Sequence, residues 1–176
     1  MTDFQTIYQN TLKFAAEKHS GQRIPSSDMP YVVHLANVAM EIMVCAQHSQ
    51  DFNLDFALQV ALLHDVLEDT ETSESEIATI FGKAVCEGVK ALTKNKTVAD
   101  PMADSLERIK LQPEEVWAVK LADRVTNLQR PPAHWNALKI RQYRLQAIQI
   151  LDELKGGNPY LENRLRQKID EYGSYC

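Results

Sequence analysis

Apolar residues recur along this chain at three- and four-residue intervals, and few segments alternate with period two. That spacing predicts an all-α protein. Residues 3–18 place Phe4, Ile7, Tyr8, Leu12, Ala15 and Ala16 on one helical stripe, with Asp3 as N-cap. HSGQRIPSSDMP (19–30) is a loop by its Gly, Pro and Ser content. Helical spacing resumes over 31–47 and again over 54–69. Ser73 and Glu76 form a capping-box pattern ahead of Ile77, Ile80 and Phe81, and Gly82 stops that helix. A short helix through Val85 and Val89 follows, and TKNKTVADPMAD (93–104) is expected to be a mobile, partly basic loop. Pro113 with Glu114 and Glu115 suits the first turn of a helix running to about residue 130. PPAHWN breaks it, and helices are expected over 136–155 and 159–172.

Against that apolar background some polar residues are out of place. ALLHDVLEDT (61–70) carries His64, Asp65, Glu68 and Asp69 among Ala57, Leu58, Val60, Leu62, Leu63, Val66 and Leu67. Burying a carboxylate is costly unless something pairs with it. Residues four apart share a helix face, so His64 is expected to stack with Glu68 and Asp65 with Asp69. Downstream, VWAVKLADRVTNL sets Asp123 among apolar residues with Asn127 one turn on, and PYVVHLANVAMEIM opens an apolar helix with His34. A divalent metal ion would account for all of these groups together, because imidazole and carboxylate are good ligands and coordination offsets their desolvation. Singly, each has a plainer explanation: a hydrogen-bonded core histidine, a buried partner for an arginine, or surface charge at a helix end.

The chain has 176 residues, which favours one domain over 1–176. Its net charge of −5 argues against nucleic-acid binding. No stretch holds the ~20 apolar residues of a membrane span. MTDFQTIYQN lacks the basic and apolar regions of a signal peptide. Cys45, Cys86 and Cys176 are odd in number and far apart, which suits reduced thiols and a cytoplasmic location. The expected partner is a small molecule, and assembly into a homo-oligomer is left open.

A histidine, then His-Asp, then aspartate, each on its own helix, resembles the HD superfamily of metal-dependent phosphohydrolases. KFAAEKHSGQR, PYVVH, ALLHDVLEDT, FG and VKLADRVTNL are similar to the hydrolase domain of RelA/SpoT proteins, over about residues 10 to 150. In layout the chain is nearest to the small stand-alone hydrolases, the metazoan SpoT homologues among them. The resemblance implies an HD-type helical bundle with a metal site between helices. It implies His34, His64, Asp65 and Asp123 as ligands of Mn2+, and Glu68 and Asp69 as the acidic pair that positions and activates water. It further implies that Asn127 holds the nucleotide and that Tyr143 lies near it. The implied reaction is hydrolysis of the 3′-pyrophosphate of (p)ppGpp to GDP or GTP plus pyrophosphate.

Two departures stand out. Leu35 follows His34 where the family usually has proline, and RIPSSDM keeps only Arg23 of a loop that is usually more basic. Arg23, Lys94, Lys96, Arg108 and Lys139 are candidates for the counter-charge a polyanionic substrate needs, Arg23 and Lys94 foremost. The altered loop leaves room for another phosphorylated nucleotide such as NADPH. A non-catalytic HD-fold module would require loss of a ligand or of the acidic pair, and neither is lost. His19, His48 and His134 are expected at the surface and Trp117 in the core, with Trp135 lining the pocket or packing under the PP turn.

Overall fold

The most apolar segment of the chain becomes its central helix. A computed structural model describes residues 3–176. Helix α3 (Leu54–Leu63) follows α1 (Phe4–Lys18) and α2 (Val32–Gln47), and buries Ala57, Leu58 and every residue from Val60 to Leu63. A helix apolar on all sides needs neighbours all round, and α3 packs against α1, α2, α6 (Lys83–Leu92) and α8 (Glu114–Asn127). The one-turn α4 (Val66–Asp69) and α5 (Glu74–Phe81) lie between α3 and α6, and α7 (Pro101–Lys110) precedes α8. Helices α9 (Ala137–Glu153) and α10 (Pro159–Tyr172) close the far side against α8, and a 3-10 turn follows over Gly173–Tyr175. Among the described residues there is no sheet, only an isolated antiparallel bridge between Arg23 and Pro30. No described helix is long and apolar enough to cross a membrane.

Local chemistry sets the helix ends. Asp3 accepts a hydrogen bond from the Thr6 amide at 2.8 Å, and Ser73 accepts from the Glu76 amide at 3.2 Å. The Glu76 carboxylate pairs with Lys18 at 2.7 Å, which ties α5 to α1. Gly82 takes a φ of +90° between α5 and α6, a backbone conformation open to glycine and costly for other residues. Gly88 serves close packing instead. A Cβ there would lie 3.1 Å from Val60 and 3.2 Å from Val116, so α6 approaches α3 and α8 at backbone distance.

Two expected elements differ. The segment 54–69 is not one helix: α3 stops at Leu63, and the chain turns through His64 and Asp65 before α4. The segment 93–104 is not wholly a loop, because α7 begins at Pro101. Asp100 caps it by accepting from the Met102 and Ala103 amides at 3.1 and 3.0 Å, and Pro101 supplies the fixed φ of a first turn. His19 corrects a third expectation: it is buried, at 4 % exposure. His48 stacks on Tyr160, and His134 is exposed. Trp117 is half-buried against the core, its indole N–H donating to the Gln112 carbonyl at 3.1 Å. Cys45 and Cys86 are buried free thiols, and Cys176 is an exposed one.

Candidate active site

The break after Leu63 brings two adjacent side chains to one point. On a continuous helix, neighbours diverge by about 100° around the axis. Here His64 ends α3 and Asp65 opens α4, so His64 Nε2 and Asp65 Oδ2 lie 2.9 Å apart. His34, in the first turn of α2, brings its Nε2 to 3.3 Å from His64 Nε2 and 3.8 Å from Asp65 Oδ2. Asp123, within α8, adds Oδ1 at 3.5 Å from His34 Nε2 and 3.7 Å from His64 Nε2. Three of these groups, His34, His64 and Asp65, each offer one ligand atom within 4.8 Å of the others.

The donor set fits a divalent cation. Ligands about 2.1 Å from a common ion are separated by roughly 3.0 Å at right angles and 3.4 Å in a tetrahedron. The spacings here run from 2.9 to 3.8 Å, so a small inward shift of the wider pairs would close the set on an ion. Two imidazoles and two carboxylates, with no thiolate, make a borderline-to-hard set. The tautomer agrees as well. His64 Nδ1 donates to the Ala61 carbonyl at 2.7 Å, which leaves the Nε2 lone pair facing the cluster.

Without an ion these groups hold each other's charge. Burial alone would raise the Asp65 carboxyl, but the His64 imidazolium and the Tyr31 hydroxyl outweigh it and hold Asp65 below the usual carboxylate range. Burial would likewise raise Asp123; Lys120, His34 and His64 reverse that and hold it well below. Burial opposes a charge on His64, yet Asp65 and Asp123 lift the imidazole well above its ordinary value. The Tyr31 hydroxyl, which donates to Asp65 Oδ2, is pushed upward by burial and by that carboxylate.

The cluster opens into a cleft of about 480 Å³. Glu68 and Asp69 line it beside His64 and Asp65, as do Asn127, Tyr143 and Lys94. Glu68 accepts from the Lys94 amide at 3.2 Å, and its other oxygen is 3.6 Å from Lys94 Nζ. Asn127 donates to Asp123 Oδ1. Burial raises the Tyr143 hydroxyl against the pull of Arg124, whose guanidinium lies 4.4 Å from the ring centre. Arg23 is not brought to this cleft. Its guanidinium donates to the Asp28 carbonyl within the 19–30 loop, and it lines a neighbouring cavity of about 250 Å³. Arg108 is spent on Asp104 and on carbonyls at the end of α6, and Lys139 lies over Trp135, whose ring meets Tyr143 edge-on.

The cleft also holds residues the sequence pattern did not mark. Tyr31, Lys120 and Arg124 line it, as do Asp100, Pro101 and Met102 at the start of α7. Lys120 and Arg124 are buried, and Lys120 Nζ is 3.3 Å from Asp123 Oδ2. The available signal was helical spacing: Lys120 stands three residues before Asp123 and one turn from Arg124, inside an otherwise apolar run.

Fold and cluster together define a helical protein of the HD class, and the HD domain pattern matches residues 11–154. The zebrafish (Danio rerio) guanosine-3′,5′-bis(diphosphate) 3′-pyrophosphohydrolase MESH1 is 32 % identical over 174 residues, 95 % of this chain and 94 % of that protein. The Homo sapiens MESH1 is 33 % identical, with 91 % of each chain covered. A solved structure of a metazoan SpoT ortholog, described as hydrolysing ppGpp, superposes with a TM-score of 0.83 at 30 % identity, covering 98 % of this chain and 99 % of that one. The chain belongs to the HD-domain family, in its MESH1 group.

Proposed function

We propose that this protein hydrolyses the 3′-pyrophosphate of (p)ppGpp, giving GDP or GTP and pyrophosphate. The observation that carries the reading is the convergence of His34, His64, Asp65 and Asp123 at the base of a cleft walled by Glu68 and Asp69. The MESH1 relatives, named for this activity and matched over nearly their whole length, support it.

His34, His64, Asp65 and Asp123 would hold the ion, which we take to be Mn2+. Such an ion supplies Lewis acidity toward phosphoryl oxygen and water. The remaining work falls to the chain itself. Glu68 and Asp69 orient the attacking water, and a carboxylate oxygen of the pair takes its proton. The water oxygen adds to the phosphorus on O3′, the O3′–P bond breaks, and the proton taken by the acidic pair passes to the leaving O3′. Lys94, Lys120 and Arg124 bring positive charge to a cleft in a chain of net charge −5, where a polyanion needs it. Asn127 and Tyr143 face the nucleotide. We place the activity in the cytoplasm, a reading supported by the free thiols.

The test is metal analysis of the purified protein, followed by incubation with ppGpp and, separately, NADPH, each with Mn2+. Pyrophosphate and GDP from ppGpp are expected. Orthophosphate from NADPH with ppGpp untouched would transfer the same site to a different nucleotide. No product from either, in protein that carries its metal, would overturn the hydrolase reading.

A further inference from the structure

Asp69 stands at the end of a one-turn helix and is exposed. A carboxylate in that position has a choice of rotamers, and only some face the metal cluster. Its side-chain hydrogen bond among the described residues comes from Gln22, whose Nε2 donates to Asp69 Oδ2 at 2.9 Å. We propose that His19 and Gln22 form a relay that orients Asp69, which makes them positioning residues for the hydrolysis proposed above. The inference rests on that reading for its catalytic consequence, though not for its geometry.

The hydrogen-bond directions are fixed by elimination. An ionised Asp69 can only accept, so the Gln22 amide nitrogen must face it. The Gln22 Oε1 then faces the other way, where it meets His19 Nδ1 at 2.6 Å. An amide oxygen can only accept, so His19 must carry its proton on Nδ1. His19 Nε2 is buried without a partner among the described residues. In this tautomer Nε2 is a bare lone pair, whereas the other tautomer would bury an orphaned N–H donor and leave two acceptors facing each other at Nδ1.

The backbone around the relay is held on both sides. The Gln22 amide donates to the His19 carbonyl at 3.0 Å, and the Tyr31 amide donates to the Gln22 carbonyl at 3.0 Å. Gly21, at φ +81°, turns the chain between the two side chains. The imidazole has a second contact toward the cluster. It lies against the Tyr31 ring, centroids 4.9 Å apart, and the Tyr31 hydroxyl donates to Asp65. One buried histidine thus sits behind a carboxylate of the acidic pair and behind a tyrosine bonded to a metal ligand. Outer partners of this kind typically matter by about 10–100-fold.

The relay is tested on the metal-loaded full chain. Gln22→Leu should lower kcat on ppGpp by about 10–100-fold, with KM within about threefold and with metal content and Tm at parental values. His19→Leu should fall similarly. His19→Asn, which can present an N–H near the Nδ1 position, should recover most of the loss. Unchanged kcat in Gln22→Leu, loss of metal along with kcat, or no advantage of Asn over Leu at position 19 would each overturn the proposal. Nitrogen-15 NMR of the imidazole reads the relay without turnover. The neutral His19 ring should carry its proton on Nδ1 in the parent and lose that preference in Gln22→Leu, and a proton fixed on Nε2 sinks the idea. If the parent fails to hydrolyse ppGpp, the functional reading falls, and the nitrogen pattern alone decides the relay.

Discussion

Asp65, Glu68 and Asp69 sit within five residues and carry the same charge, yet their surroundings give them different work. Asp65 is locked between His64 and Tyr31, whereas Glu68 and Asp69 reach into the cleft. Asp65→Asn should therefore lower the metal content of purified protein. Glu68→Gln and Asp69→Asn should leave the metal in place and slow turnover by on the order of 10²–10⁴. Equal metal loss in all three, measured by elemental analysis, would mean that ligand and base are misassigned. The same cluster sets the pH behaviour of metal-free protein. His64 is raised above its ordinary value of 6.5, so its stabilising charge is fully present below pH 6.5 and lost as pH climbs through the folded value. Asp65 and Asp123 are lowered from 3.8, so their contribution is present above that pH and lost as pH falls toward the folded values. Metal-free protein should then melt higher near pH 5.5 than near pH 8.5. Divalent ions reverse that trend, because binding displaces the His64 proton and strengthens with pH. The four proposed ligands stood out in the sequence through their order, a histidine, then His-Asp, then aspartate, on separate apolar helices, and the structure brings them together. His19 was hidden by its neighbours: a histidine before Ser-Gly-Gln-Arg has the composition of exposed loop, and the Tyr31 ring it lies against is twelve residues away. Lys120 was hidden for the opposite reason, since a lysine three residues before an aspartate looks like a surface pair.

At the scale of elements, most helices and caps follow from spacing alone. The break at His64–Asp65 does not, because no Gly or Pro marks it and both flanks are apolar. The start of α7 was written in the sequence, as Asp100 in the cap position with Pro101 behind it, but the polar composition of 93–104 masked it. The packing of α6 was also invisible, because Gly88 inside a helix otherwise signals only weak propensity. The structure gives Gly88 a steric role, and Gly88→Ala tests it. Alanine gains about 1 kcal/mol in helix propensity. Forcing its methyl against the fully buried Val60 and close against Val116 costs about 1–3 kcal/mol. The net should be a loss, read as a Tm lower by roughly 2–4 °C per kcal/mol lost. A higher Tm would show that the valines yield and that the close approach is incidental.

At the scale of the whole molecule, the proposed metal site would act as a tertiary cross-link. Its candidate ligands come from α2, from the α3–α4 break and from α8, so a bound ion and the folded state would reinforce each other. At about 100 times its dissociation constant an ion adds about 2.7 kcal/mol. Chelation should then lower Tm by on the order of 5–10 °C as well as stop turnover, and an unchanged Tm after complete stripping would remove the site from the folding argument. The exposed stretch Asn95–Thr97 adds a consequence of its own. A cut there leaves His34, His64 and Asp65 on one fragment and Asp123 on the other. Intramolecular stability then becomes a dissociation constant between two pieces. The free energy that chelation removes from the intact chain would reappear as a roughly 100-fold weaker association of the halves. The ion that serves as cofactor in the whole protein would act as a reversible rivet in the cleaved one.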